Sequence, residues 1–136
     1  LREAKAQGFI SINNAALSSI VELNNKKGDV LNIARIAGIN AVKHTSTLIP
    51  LAHNILINSV SVDFRIDTKE SEIHSTVTVK SQGKTGVEIE ALIGVEISLM
   101  TIYDMCKYLD RSMIINDVKL ISKTGGKSGD FIREKK

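Results

Sequence analysis

Asp104 and Lys107 stand three residues apart at the end of a nearly uncharged run, in which Glu96 is the only charged residue between Ala91 and Tyr103. On a helix that spacing puts the two side chains about 60° apart on one face, within reach of each other. A carboxylate beside an amine can serve as an acid–base couple. Apolar surroundings lower a lysine's basicity, a neighbouring carboxylate opposes the loss, and the proton becomes transferable. The plainer reading is a solvated ion pair at a helix end. A helix apolar nearly all round must be buried in its own core or a partner's. Such a helix is a wasteful setting for an idle pair.

Other candidates lie scattered along the chain. Lys26 and Lys27 precede a helix start, where free amides and the helix dipole attract phosphate; the competing reading is two solvated lysines with Asp29 already capping that helix. Glu88 and Glu90, if extended, project to one side toward the positive end of the following helix, or else merely cap and solubilise it. His53 follows Pro50-Leu51-Ala52, and an ordered loop there could present it as acid, base or donor; a structural histidine is an equal alternative. Gly126-Lys127-Ser128 suggests a phosphate loop, but position 121 is Ile where that motif needs Gly, and no helix pattern follows. What remains is a glycine loop carrying Lys123 and Lys127, either a solvated tail or a clasp for an anion. His44, His53 and His74 lack metal-ligand spacing, so no metal is expected. Cys106 reads as a buried thiol rather than a nucleophile.

The elements that must position these groups follow from hydrophobic periodicity. Ala4, Ala6, Ile10 and Ile12 alternate with polar residues as a strand with one wet face, and Gly8 is a possible bulge. Asn13 and Asn14 offer caps for a short helix over 15–23, and Asp29 caps a second helix running to about Leu48, stopped by Pro50. Val60, Val62, Phe64 and Ile66 form the clearest strand; Ile73, Ser75, Val77 and Val79 form the next, joined to it by a short turn over 68–71. On its wet side His74 is expected to be exposed. The long helix comes next, then a last strand over 118–123, with a flexible tail from about 124. The order predicts an α+β fold over 1–136 as a single domain. It is a ferredoxin-like layered arrangement, a four-stranded antiparallel sheet with helices packed on one face.

Composition narrows the classes. Hydrophobic residues make up 43% and charged residues 24%, the proportions of an ordinary globular protein. A net charge of +3 is too mild to argue for nucleic acid or membrane, and no run is long enough to span a bilayer. A single cysteine excludes an internal disulfide, and the first ten residues lack the layout of a signal peptide, so a cytoplasmic location is expected.

The segments KGDV (27–30), ARIAGI (34–39), LIPLAH (48–53), TGVEIEAL (85–92), TIYDMCK (101–107) and KTGGKSGDF (123–131) together resemble the molybdenum cofactor biosynthesis C protein family, the cyclic pyranopterin monophosphate synthases. The resemblance runs in order from Arg2 to Phe131. It implies an enzyme that takes a cyclised dihydroguanosine triphosphate, derived from GTP, and converts it to cyclic pyranopterin monophosphate with release of diphosphate. It also implies a ferredoxin-like fold, a homohexamer built as a trimer of dimers with active sites at the dimer interface, and no metal or organic cofactor. By resemblance, Asp104 and Lys107 are the catalytic aspartate and its paired lysine, and Lys27 is a further catalytic lysine. Substrate contacts carry over to Leu51, Ala52 and His53, to Glu88, Ile89 and Glu90, and to Lys43, Lys123, Lys127 and Arg2. Three positions depart from the family pattern: Ala52 replaces cysteine, Asn54 proline and Ile89 methionine, so side-chain sulfur contacts there are lost.

The chemistry agrees with the resemblance. Lys27, Lys43, Lys123 and Lys127 come from four segments that a closed fold could draw around a triphosphate. Forming a cyclic phosphate needs a base for a hydroxyl proton and cations for the developing charge. Two rival readings are non-catalytic. An RNA-binding sheet would stack bases on strand aromatics, yet aromatics make up only 4% and Phe64 lies with Val62 and Ile66 on the apolar face. A purely structural oligomerisation domain would explain the apolar helix but leave the lysines and carboxylates idle.

Overall fold

The computed structural model describes residues 1–83, 85–126 and 128–134. Its elements run β1 (Arg2–Ser11), α1 (Asn14–Val21), α2 (Val30–Lys43), α3 (Thr45–Leu48), β2 (Ile57–Asp67), β3 (Glu72–Ser81), α4 (Glu88–Cys106), β4 (Ile114–Thr124) and β5 (Phe131–Ile132). The fold is α+β, but the sheet has five strands where four were expected, in the order β2-β3-β1-β4-β5 with every neighbouring pair antiparallel. The fifth strand forms because the chain reverses after Thr124 and lays Phe131 and Ile132 beside Lys123 and Ser122. Gly125, Gly126 and Gly129 make that reversal at positive φ, and the Asp130 carboxylate accepts the Gly125 N–H. β4 is also longer than expected, starting at Ile114 instead of 118.

The period-two alternation places the core where expected. Ala4, Ala6, Ile10, Val62, Ile73, Val77 and Val79 are buried on one face of the sheet, against Ala91, Val95, Leu99 and Ile102 of α4. Burying apolar surface in this way is the main force holding the layers together. α2 packs on α4 at a close glycine crossing. A Cβ on Gly94 would sit 2.9 Å from Val42 and Val77, and one on Gly38 would sit 3.2 Å from the Gly94 carbonyl. Gly8 is likewise pressed against Val118 and Val95, at an irregularity in the β1–β4 register.

Asn13 and Asp29 act as the expected N-caps, accepting from the N–H groups of Ala16 and Asn32. The second helix does not reach Leu48 unbroken. It stops at Lys43, and a separate turn, α3, follows. At the break, His44 Nδ1 lies 2.7 Å from the Asn40 carbonyl, while the Thr45 hydroxyl donates to the Ala41 and Val42 carbonyls. Side chains thus occupy carbonyls that the next helical turn would have used.

His74 is not simply exposed. It stacks on Phe9 at 4.9 Å between ring centroids and lies 3.0 Å from Glu72 Oε1, on the sheet face opposite the helices. With Asp67 these two residues form a carboxylate–histidine group with ligand atoms within 4.8 Å of one another, which the histidine spacing alone did not reveal. Asp67 also pairs with Arg65, at 3.8 Å.

Candidate active site

α4 carries the centre of the site on its last turn. Lys107 Nζ donates to Asp104 Oδ1 at 2.9 Å, the contact expected from the i, i+3 spacing. The pair is not sequestered within one protomer: the Asp104 side chain is 69% exposed and that of Lys107 54%. α4 keeps one side buried to its end, from Ala91, Val95, Leu99 and Ile102 to Met105 and Cys106, and Asp104 stands on another face. The hydrogen bond from Lys107 and its charge hold the Asp104 carboxyl below the usual aspartate range, with a further, smaller lowering from the Lys27 ammonium. Asp104 is therefore the fixed anion of the cluster, with two lysines beside it.

Lys27 reaches this neighbourhood from the loop between α1 and α2. Its backbone N–H is held by Asn25 Oδ1 at 2.8 Å, and the next residue, Gly28, takes φ 122°. Lys26 donates its N–H to the Tyr108 hydroxyl at 2.9 Å and sets its ammonium 4.3 Å from that ring's centre. The Lys27 charge thus acts on Asp104 beside Lys107. Cys106, between them in sequence, is buried, and burial pushes its thiol up to about 11, which leaves it unsuited to nucleophilic work.

Glu88, Ile89 and Glu90, with Arg2 and Lys123 nearby, lie at the other end of α4. Glu88, Ile89 and Glu90 form the helix's first turn instead of an extended segment, because Val87 ends the incoming loop and the free amides begin there. Glu90 is only 3% exposed; burial pushes its carboxyl up, its own backbone N–H opposes this, and the Glu88 charge adds to the rise. Ile89 is exposed beside it. Arg2 Nε donates to the Gly83 carbonyl at 2.8 Å, just ahead of this turn. Lys123, on the next strand, donates to the Ser128 hydroxyl at 2.6 Å, within the glycine reversal that also packs against Arg2. Leu51, Ala52 and His53 lie in the loop leading to Ile55, which packs against Gly83, and Leu56, whose carbonyl accepts from Ser81 Oγ. Leu51 is 91% exposed and His53 is exposed, with Ala52 half-buried. Lys43 is exposed at the end of α2. Lys127 lies outside the described residues.

The candidate residues therefore form two groups. Glu90 and Asp104 are separated along α4 by roughly 21 Å at 1.5 Å per residue, too far to touch the same reacting atoms. One group offers an acid–amine cluster; the other offers Arg2, Lys123, a buried glutamate and an exposed histidine, groups suited to an anionic ligand with hydrogen-bonding edges. Asn25 and Tyr108 were missed as supports of the first group. Their ties across the chain, Asn25 to the Met105 carbonyl and Tyr108 to the Lys26 N–H, join atoms about 80 residues apart and leave no local mark in the sequence.

A small α+β protein with these two groups has the makings of an enzyme for a polyanionic substrate, with proton transfer at a carboxylate–amine pair. The chain matches the MoaC family over residues 1–126 and belongs to it. It is 48% identical over 133 residues to a cyclic pyranopterin monophosphate synthase of Peptoclostridium acidaminophilum, covering 98% of this chain and 83% of that protein. The synthase of Helicobacter hepaticus is 50% identical over 133 residues, covering 98% and 84%. That of Clostridium acetobutylicum is 48% identical over 133 residues, covering 98% and 83%.

Proposed function

We infer that this chain is a cyclic pyranopterin monophosphate synthase acting in molybdenum cofactor biosynthesis. It takes a cyclised dihydroguanosine triphosphate and releases diphosphate. Membership of the MoaC family carries this reading, together with the Asp104–Lys107 hydrogen bond at the end of α4. In the reaction a substrate hydroxyl attacks the innermost phosphorus, its proton passes to a base, and the bond to the departing diphosphate breaks. Lys107 is the main proton-transfer group, held by the Asp104 carboxylate, and Lys27 serves the phosphates or a second proton transfer. Arg2, Lys43, Lys123 and Lys127 hold the polyanion, with Leu51, Ala52, His53, Glu88, Ile89 and Glu90 contacting the pterin precursor. The reaction as read here uses no metal or organic cofactor.

The whole chain serves as one synthase domain. Its β-α-β-β-α-β core with strand order 2-3-1-4 supports a ferredoxin-like assignment, to which β5 is an addition. The site is completed by a second copy of the chain. The acid–amine group of one protomer faces the Arg2–Lys123–Glu90 group of its partner, within a hexamer made of three such dimers. Two observations support this: the separation of the two groups along α4, and an exposed set of apolar side chains, Ile33, Ile36, Leu48, Leu51, Leu56 and Met100. The partner would also cover Lys107 and supply the apolar surroundings that an isolated protomer lacks. No helix among the described residues is long and apolar enough to cross a membrane, in keeping with work in the cytoplasm.

The test is incubation of the purified protein with the cyclised dihydroguanosine triphosphate, following diphosphate and the cyclic monophosphate. Equal amounts of both products are expected, formed at least about a hundredfold more slowly by Asp104→Asn. Absence of turnover by the intact oligomer would remove the assignment.

A further inference from the structure

Asn25 is only 7% exposed although it belongs to an irregular loop, and every polar atom of its side chain is engaged. Its Nδ2 lies 3.3 Å from the Met105 carbonyl, 3.1 Å from Ser19 Oγ and 3.6 Å from Cys106 Sγ. Its Oδ1 accepts the Lys27 N–H at 2.8 Å. These partners fix the amide's orientation: the oxygen meets a donor and the nitrogen meets acceptors. The Met105 carbonyl is one of the last in α4, a class of groups left free by the helix ladder. Met105 also sits between Asp104 and Lys107. One side chain therefore holds the backbone of Lys27 on one side and the turn carrying the acid–amine pair on the other.

The loop around it needs such a hold. It contains no regular element between Val21 and Val30, and Leu23 at φ 57° and Gly28 at φ 122° reverse the chain on either side of Asn25. Backbone bonds fasten its two ends, from the Asn24 and Asn25 N–H groups to the Ser19 carbonyl and from Gly28 N–H to the Asn25 carbonyl. Apart from Asn25, the hold on α4's end comes from Tyr108, which binds Lys26.

We propose that Asn25 is a positioning residue, an amide clasp that fixes Lys27 against the Asp104–Lys107 pair. This rests on the reading of those three residues as the reacting group. The clasp acts on catalysis by limiting where the Lys27 ammonium can go relative to the pair.

The experiment uses the intact oligomer and four variants: Asn25→Ala, Asn25→Ser, Lys27→Ala and Asn25→Ala/Lys27→Ala. The serine variant keeps a hydroxyl to accept the Lys27 N–H but has no donor that reaches Met105, and it preserves a polar group should the alanine variant fold poorly. In turnover, both Asn25 variants are expected to lose about tenfold or more in kcat. The double variant should match Lys27→Ala within about twofold, because residues acting through one another are non-additive. Without substrate, the Asp104 carboxyl, followed by nuclear magnetic resonance, should titrate at higher pH in the Asn25 variants, moving toward its position in Lys27→Ala. An Asp104 titration unchanged in both Asn25 variants overturns the proposal, as do losses that multiply in the double variant. Wild-type turnover by Lys27→Ala would sink the functional reading of Lys27 instead, and the Asp104 titration would still decide the clasp.

Discussion

Asp104 Oδ1 and Lys107 Nζ are 2.9 Å apart on the last turn of α4, with the lysine donating and the carboxylate accepting. The lowered carboxyl makes Asp104 an anion throughout the neutral range, and under the proposed function its part is to orient Lys107. Removing the charge while keeping the shape should therefore stop chemistry without disturbing the fold. Asp104→Asn is expected to lose about 10²- to 10⁴-fold in kcat, with unchanged assembly and circular dichroism. A loss confined to KM would place the residue in binding only.

The same pair fixes a pH response. Because the folded pKa of Asp104 lies below its unfolded value, the favourable pairing is complete above the unfolded pKa and fades as pH falls through the folded one. Lys107→Ala takes away both the hydrogen bond and the nearest charge. Its Asp104 carboxyl should titrate at higher pH than in the wild type, as read by a resonance titration. No upward movement would show that Lys107 does not hold that carboxylate in solution.

Cys106 offers a contrasting titration. With its thiol raised to about 11 by burial, roughly one molecule in a thousand carries a thiolate at pH 8. The native protein should resist iodoacetamide at that pH for hours and become labelled at once in guanidinium. Fast labelling of the native protein would place the thiol at an accessible surface.

Asp110, just past the end of α4, is tied to the N-cap of α1. It is buried and accepts from the N–H of Asn13, and from the N–H and hydroxyl of Ser112. Burial pushes its carboxyl up, but the hydrogen bonds from Ser112 and Asn13 outweigh that and leave it lowered. Asp110→Ala should cost about 2–3 kcal/mol at neutral pH, since hydrogen bonds to a charged group are lost and their donors stranded. The difference should shrink as pH falls through the folded pKa, where the wild type itself becomes protonated. Chemical denaturation at pH 7 and pH 3 reads both.

Gly94 tests the helix crossing. An alanine there must push Val42 or Val77 out of place, so Gly94→Ala should lose about 1–3 kcal/mol in thermal or denaturant unfolding. A neutral result would mean that α2 and α4 can separate freely.

How far the sequence carried these conclusions depends on whether the governing contacts are local. Ala4, Ala6 and Ile10, or Ile73, Val77 and Val79, declare a strand face through period two, and Asn13 and Asp29 declare helix starts through their own side chains. The break at His44 was hidden because helical spacing continues across it to Leu48, while the interruption comes from His44 and Thr45 turning back on earlier carbonyls. β5 was hidden for another reason: two residues show no period, and their pairing with β4 depends on the glycine reversal between them. The Asp104–Lys107 contact was legible from spacing alone. Spacing left open whether the pair is solvated or enclosed, because the face of α4 turned from the core is set by its packing on the sheet, with Met105 and Cys106 buried beside the exposed Asp104.

The division of the site between two copies can be tested by mixing inactive proteins. Asp104→Asn breaks only the acid–amine group, and Lys123→Ala breaks only the anion-holding group at the far end of α4. If each site takes one group from either protomer, a mixed dimer contains one site with both groups intact. Co-expression of the two variants should then restore activity, up to about a quarter of the wild-type rate for random pairing. A co-expressed oligomer no more active than the two variants alone would mean that each chain builds its site by itself.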